Sequence, residues 1–445
     1  MPSRSLHVAV IGAGAAGLVA ARELRREGHW PVVFERAAGV GGTWLYDPAA
    51  SADLLGAGAV HSSVYASLRT NLSRECFGFS DFPFIADEGG EGDGDRRRFP
   101  GHQEVLRYLQ EFARRFDLYG MVRLRTEVVS VRREASASWR VTSHSTSELA
   151  GSGGPVEEVF DAVVVCNGHF VTPRLNLAIL CAGIGSWPGK QMHSHSYRVP
   201  EAFHGQVVVV VGYATSGFDI SRDIAGVASE VHVAAATCVE MQRTARPNLW
   251  LHPMIERAEA DGSVVFQDGN RVKADAIIHC TGYKYSYPFL DEEVVGISVD
   301  DNRVGPLYEH VFPPHLAPQI SFIGLPFRVY FFPLFELQSN WVAGILSGRI
   351  ELPSQEKMTE DVAEFYSKME ARGCPKRLTH DFGALQFEYE DWVAEQCGKD
   401  MMEGWRKAMY LAARKNMVDR PENWRDEWED THLLSQAYQD LTKYL

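Results

Sequence analysis

Three glycines, Gly12, Gly14 and Gly17, stand in the stretch LHVAVIGAGAAGLVAARELRREG at the spacing G-x-G-x-x-G. The chemistry that this spacing serves is pyrophosphate binding. The first glycine permits a tight turn, the second lets a phosphate approach the backbone, and the third allows close helix–strand packing. Ala15 and Ala16 open the helix, whose N-terminus carries roughly half a positive charge toward the phosphates. Glu35 lies eighteen residues after Gly17, at the tip of the next strand. A carboxylate there accepts a hydrogen bond from a ribose hydroxyl, and Arg36 follows it.

The outline recurs at 207–225, VVVVVGYATSGFDISRDIA. Gly212 and Gly217 keep the outer positions, and Tyr213, Ala214, Thr215 and Ser216 fill the loop. Ala214 stands where the middle glycine belongs and adds one methyl group where phosphates would pass. The loop is thus a working phosphate cradle or an ordinary turn; Ser216 offers a hydroxyl, and the helix dipole is unaffected. The strand that would reach the ribose ends VHVAAATC, without an acid. A carboxylate there would repel a 2′-phosphate, so its absence favours NADP over NAD. No arginine follows either; Arg222, Arg243 and Arg246 are the nearby cations.

These motifs need a scaffold. Leu6–Ile11, a helix over 15–28 and WPVVFER at 30–36 open a doubly wound α/β fold. Residues 102–118 repeat apolar side chains at helical spacing and read as core packing. VRLRTEVVSVRRE and ASWRVTSHS alternate like an antiparallel meander, with SELAGSGGPVEE as a loop, and DAVVVC is a buried strand. The second unit closes at DAIIHCTGY. A helix over about 334–346 and further amphipathic helices complete the chain. One nucleotide unit nested in the other implies a discontinuous first domain, 1–199 and 316–445, with 200–315 inserted.

The bulk numbers exclude several functions. A chain of 445 residues, 45% hydrophobic and 23% charged, has the composition of a globular protein with two or three domains. A net charge of −14 argues against nucleic acid as a partner. The basic cluster Arg96-Arg97-Arg98 follows an acidic run and reads as a solvated loop. Seven scattered cysteines without a C-x-x-C fit free thiols in a reducing compartment. No signal peptide or membrane span is expected, and the expected location is the cytoplasm. His193 and His195 lack the carboxylate or cysteine neighbours of a metal site, so no metal is expected. Ser216 has no G-x-S-x-G elbow around it. Nothing in the sequence assigns an oligomeric state.

WPGKQMHSHSY carries an aromatic, Gly189, His193 and Tyr197 at the spacing that identifies the class B flavin-containing monooxygenases, with Trp187 in place of the commoner Phe. GGTWLY, YASLRTNLSRECFGFSDFPF, HSHSYRVPEAF, SGFDISRDIA, HCTGYKYSYPFL and FELQSNWVAGILSGR resemble the plant branch that oxygenates sulfur. Members of that branch often lack the middle glycine of the second loop. The missing arginine after VHVAA departs from the pattern.

The resemblance implies a two-domain Rossmann-like fold with FAD in the first cradle, NADPH in the second and helices at the C-terminus. It implies that Glu35 holds the adenosine ribose, that Gly41, Gly42, Thr43 and Trp44 wrap the FAD, and that Asn71, with Leu72 beside it, sits at the reactive edge of the flavin. An amide there can donate and accept at once; alone, Asn71 reads as a turn residue bonded to its own backbone. The helix at Glu336-Leu337-Gln338 would point its N-terminus at the flavin's pyrimidine end. Gln338 either touches the ring or lies on the helix surface. Tyr330, Phe331 and Phe332 line the substrate approach or pack in the core. The implied reaction moves one oxygen from a flavin hydroperoxide, formed with O2, to the thioether sulfur of a small metabolite, such as an S-alk(en)yl cysteine derivative or a methylthioalkyl glucosinolate. The alternatives are N-oxygenation of an amine, ester insertion next to a ketone, an uncoupled NADPH oxidase and a redox-sensing flavoprotein.

Overall fold

The computed structural model describes residues 5–49, 53–56, 61–86, 94–135, 137–147, 154–175 and 181–444. They form two compact units: residues 1–45, 70–168 and 285–445, and residues 46–69 with 169–284.

The first unit is built on a five-stranded sheet in the order Ile320–Phe322, Ala162–Val165, β1 (His7–Ile11), β2 (Trp30–Phe34) and Val122–Arg123. Every pairing in it is parallel. Parallel strands covered on both faces carry near-continuous apolar runs, which is why VAVI and AVVV read as buried strands rather than alternating ones. Between β1 and β2 runs α1 (Ala15–Arg26). The helix 102–115 ends three residues before its expected limit, because Phe116 and Asp117 cap it and Asp117 turns at φ +47°. The three-stranded antiparallel sheet 126–133, 139–145 and 156–160 is the expected meander. Its third strand takes up the Val-Glu-Glu assigned to the loop.

The second unit repeats the plan with β3 (Val207–Val211), α2 (Thr215–Ile224) and β4 (Glu230–Ala234) in a six-stranded sheet. Its boundaries differ from those expected at 200 and 315. Lys190–His193 pairs in parallel with Ala276–His279, which draws the chain before 200 into this sheet. Leu54 accepts from the His193 N–H and Ala66 donates to Arg198, which ties 46–69 to it as well. At the far end, Tyr285 already belongs to the first unit, donating from its hydroxyl to the Leu325 carbonyl at 2.5 Å.

Back in the first unit, α3 (Phe331–Leu346) packs along α1. Asn340 donates to Glu23 at 2.9 Å, and buried Arg22 is ion-paired with Glu23, Asp81 and Glu336. Helices 355–371, 386–397, 404–419 and 431–441 follow. No helix among the described residues is long and apolar enough to cross a membrane.

Candidate functional site

In the first loop Gly12 adopts φ +104°, and a Cβ there would lie 2.5 Å from the Cys166 carbonyl oxygen. A Cβ on Gly17 would lie 1.8 Å from the Gly12 carbonyl oxygen, so the protein itself demands both glycines. Gly14 differs. Its backbone is extended, and a Cβ would meet nothing nearer than the Gly42 Cα at 3.5 Å. The fold itself therefore does not require a glycine there. No side chain caps the first turn of α1, which leaves its N–H groups for a ligand.

The turn Gly42–Trp44 closes on this loop. Gly41 donates to the Ala13 carbonyl at 3.0 Å, and a Cβ on Gly42 would come within 2.9 Å of the Gly14 Cα. The indole of Trp44 stands edge-on to Phe77 at 5.8 Å. Glu35 is buried; one carboxylate oxygen accepts from the Ala13 N–H at 2.8 Å and the other from Ala37 at 2.7 Å. The acid at the tip of β2 is thus fastened to the glycine loop, with lone pairs left for a hydroxyl donor. Arg36 is half-exposed near Glu127, at 3.9 Å. Leu72 points into the core.

The second loop has the same backbone. Gly212 adopts φ +100° against the Cys280 carbonyl, and a Cβ on Gly217 would lie 1.9 Å from the Gly212 carbonyl oxygen. Ala214 takes φ −77° and ψ −168°, almost the values of Gly14 at −75° and −172°. An alanine costs nothing in that conformation, and its methyl is exposed. Again no side chain caps the helix. The middle position is therefore conformationally free in both loops, and the loop keeps the shape of a phosphate cradle. Thr215 is exposed, Tyr213 packs on Phe218 at 5.6 Å, and Arg222 donates to the Tyr213 hydroxyl at 3.1 Å. Residues 235–238, which follow β4, include no acid.

Asn71 is exposed, and its Oδ1 accepts from Nη2 of Arg425 at 2.7 Å. Its Oδ1 is thus held by a distant guanidinium rather than by its own turn. Gln338 is fully buried, which removes the helix-surface alternative: its Oε1 accepts from the Gly324 N–H and its Nε2 donates to Tyr389, both at 3.0 Å. Glu336, Leu337 and Gln338 lie in the second turn of α3, whose N-terminus is Phe331. Glu336 faces Arg22 and accepts from the Ser80 N–H at 2.8 Å. Tyr330 and Phe332 are core residues. The Tyr330 hydroxyl donates to the Arg406 carbonyl at 2.7 Å, and Phe332 stacks on Phe79 at 5.1 Å. Phe331 alone of the three is partly open.

The stretch 187–197 includes Lys190–His193, an edge strand of the six-stranded sheet. A Cβ on Gly189 would strike the Trp187 ring at 2.1 Å, so the aromatic lies on the glycine. His193 is buried and its Nδ1 accepts from the His195 N–H at 3.0 Å. Burial and the neighbouring His195 and His279 push its imidazole down to about 3, so it is neutral. Among the described residues no cluster of His, Cys, Asp and Glu is placed to hold a metal. The Tyr197 hydroxyl donates to Asp223 at 2.5 Å, fastening the stretch to α2.

The family model described as flavin-binding monooxygenase-like matches residues 5–246 and 248–398. The chain belongs to this family. Flavin-containing monooxygenase FMO GS-OX-like 4 of Arabidopsis thaliana is 54% identical to this monooxygenase over 453 residues, covering 100% of this chain and 98% of its own. The structure of S-allyl-L-cysteine S-oxygenase from Allium sativum matches with a TM-score of 0.94 and 52% identity over 100% of both chains. Tmm from Pelagibacter sp. strain HTCC7211, at 23% identity over 95% of this chain and 93% of its own, shares the fold with a TM-score of 0.77. FAD and NADPH are the cofactors of this monooxygenase.

Sequence spacing missed what holds Asn71. The stretch NWRDEWED carries no recognisable motif, yet its Arg425 reaches Thr70 and Asn71. Arg98, read as solvated, is buried in a two-pronged pair with Asp430. The surplus of charge and tryptophan in a short terminal stretch was the available signal; its partners lie more than 300 positions away.

Proposed function

We propose that the first unit holds FAD along Gly12, Gly14, Ala15, Ala16 and Gly17, with Glu35 on the adenosine ribose and Gly42, Thr43 and Trp44 over the loop. The second unit holds NADPH along Gly212, Tyr213, Ala214, Thr215, Ser216 and Gly217. Bound FAD, reduced at the expense of NADPH, supplies activated oxygen; one atom of O2 goes to the substrate and the other leaves as water. The observation that carries this assignment is the difference between the two loops. Ala15 and Ala16 are buried and Gly42 closes against Gly14, as suits a resident cofactor. Ala214 and Thr215 are exposed, as suits a nucleotide that exchanges.

The chain's own residues bind, orient and protect. Glu35 fixes the adenosine end, the uncapped helix starts neutralise two pyrophosphates, and Asn71 offers an amide at the reactive edge. No nucleophile–base pair is needed, because the cofactor carries the hard chemistry. The substrate is a small thioether and the product its sulfoxide. The supporting observation is the likeness, over the whole chain, to an enzyme whose name states S-oxygenation of S-allyl-L-cysteine. All seven cysteines are free thiols, which supports a reducing, cytoplasmic setting.

A panel of thioethers, S-alk(en)yl cysteines and methylthioalkyl compounds among them, incubated with enzyme, NADPH and O2 tests the reading by mass spectrometry. One sulfoxide formed per NADPH consumed is expected for at least one member. Amine N-oxide formed while every thioether is returned unchanged would overturn it.

A further inference from the structure

Arg425 and Asn71 lie 354 positions apart, yet the guanidinium meets the amide directly. Nη2 donates to Asn71 Oδ1 at 2.7 Å, and Nε donates to the Thr70 carbonyl at 2.9 Å. The guanidinium also lies over the Trp424 ring, 4.3 Å from its centroid. Trp424 is buried and stands edge-on to Phe99 at 5.2 Å. Five residues past Arg425, Asp430 accepts from Arg98 Nη1 at 2.5 Å and Nη2 at 2.9 Å. Both ends of the segment 424–430 are therefore fixed on residues 70–99.

A guanidinium has donors and no acceptor, so the Asn71 atom that it meets is the amide oxygen. The Nδ2 hydrogens are then turned to the other side. Without that anchor the two amide orientations are nearly equal in shape, and one of them would present oxygen lone pairs to an electron-rich reduced ring. The two bonds from one planar fork also hold the Thr70–Asn71 backbone in register, which a point-charge donor does less well.

We propose that Arg425 is a positioning residue for the oxygenation. It fixes the Asn71 amide so that its N–H groups face the bound flavin. This rests on the reading that places Asn71 at the flavin's reactive edge.

The test compares holoenzymes of the wild type, Arg425→Met, Arg425→Lys, Asn71→Asp and the double variant Asn71→Asp/Arg425→Met. Four quantities are read: FAD content, Tm, the midpoint potential of bound FAD, and the share of NADPH lost as hydrogen peroxide. Arg425→Met is expected to keep its FAD and to raise the peroxide share roughly tenfold, the worth of one hydrogen bond to a charged group. Its flavin potential should move away from the wild-type value, which a purely structural role would not cause. Arg425→Lys should fall between Arg425→Met and wild type. The double variant should be no more uncoupled than Asn71→Asp, because both changes disable the same group.

A wild-type potential and peroxide share in Arg425→Met overturn the proposal, as does a lower Tm with coupling intact. Additive losses in the double variant overturn it too. If Arg425→Met does not fold, Arg425→Lys and Asn71→Asp/Arg425→Lys give the same comparison. A wild-type enzyme that forms no sulfoxide from any thioether sinks the substrate reading alone, and the potentials still judge Arg425.

Discussion

Asp430 receives both terminal nitrogens of Arg98, across 332 positions of sequence, in a site where both side chains are nearly closed to solvent. Glu75 takes the Nε at 3.3 Å, and Trp428 lies under the guanidinium at 5.0 Å. A buried charge pair broken so that one charge is left alone costs about 3–5 kcal/mol, and Arg98 would keep Glu75 as a second partner. Asp430→Ala is therefore expected to lower unfolding stability, by less than that full cost, and to expose the chain beyond residue 420 to proteolysis. Denaturant titration and limited digestion check this; wild-type behaviour in both would show that the pair does not hold the C-terminal segment.

The two glycine loops give opposite expectations at neighbouring positions. Gly17→Ala places a methyl 1.8 Å from a backbone oxygen and should yield a protein that does not retain FAD. Ala214→Gly relieves no clash and should leave Tm unchanged, with a modest fall in the KM for NADPH. Flavin content after gel filtration and steady-state kinetics decide. A Gly17→Ala protein as yellow as wild type would mean that the loop is not the FAD cradle.

Nicotinamide preference follows from the end of β4. The strand stops at Ala234, and residues 235–238 at its tip carry no carboxylate to repel a 2′-phosphate. A kcat/KM for NADPH at least about tenfold above that for NADH is expected, equivalent to roughly one charge-assisted hydrogen bond. Equal values would show that no group on the second unit reads the phosphate.

Glu390 is 1% exposed, and burial raises its carboxyl well above the ordinary range. Below about pH 4.5 it is protonated in folded and unfolded chains alike and has no effect on stability. Above that, the unfolded chain releases the proton while the folded chain keeps it. Folded stability then falls by about 1.4 kcal/mol per pH unit until the folded group ionises. Glu390→Gln should therefore be more stable than wild type, by a margin wider at pH 8 than at pH 5. Melting curves at the two values check the sign; a margin that shrinks with pH would mean an ionised native Glu390.

The fold was legible because local rules and global packing agree. Apolar runs running into glycine turns, VAVIGAG and VVVVGYA, became parallel strands opening into helices. Glu35 at the strand tip was legible for the same reason. The unit boundaries were not. Lys190–His193 carries no long apolar run, and only its pairing with Ala276–His279 assigns it to the second sheet. That Gln338 is buried was not legible in helical spacing, because Gly324 and Tyr389, which bond its amide, lie outside its helix. Tyr330 and Phe332 resemble pocket-lining aromatics by type alone, and packing against Phe79 and Arg406 put them in the core. Arg425 escaped notice since nothing near it in sequence is its partner.

Anaerobic mixing of the purified holoenzyme with NADPH tests most directly whether one polypeptide holds two dinucleotides that work together. The expected result is full bleaching of the yellow flavin band by one equivalent of NADPH, followed, on adding air and a thioether, by sulfoxide equal to the NADPH consumed. A flavin that stays oxidised under excess NADPH would contradict it.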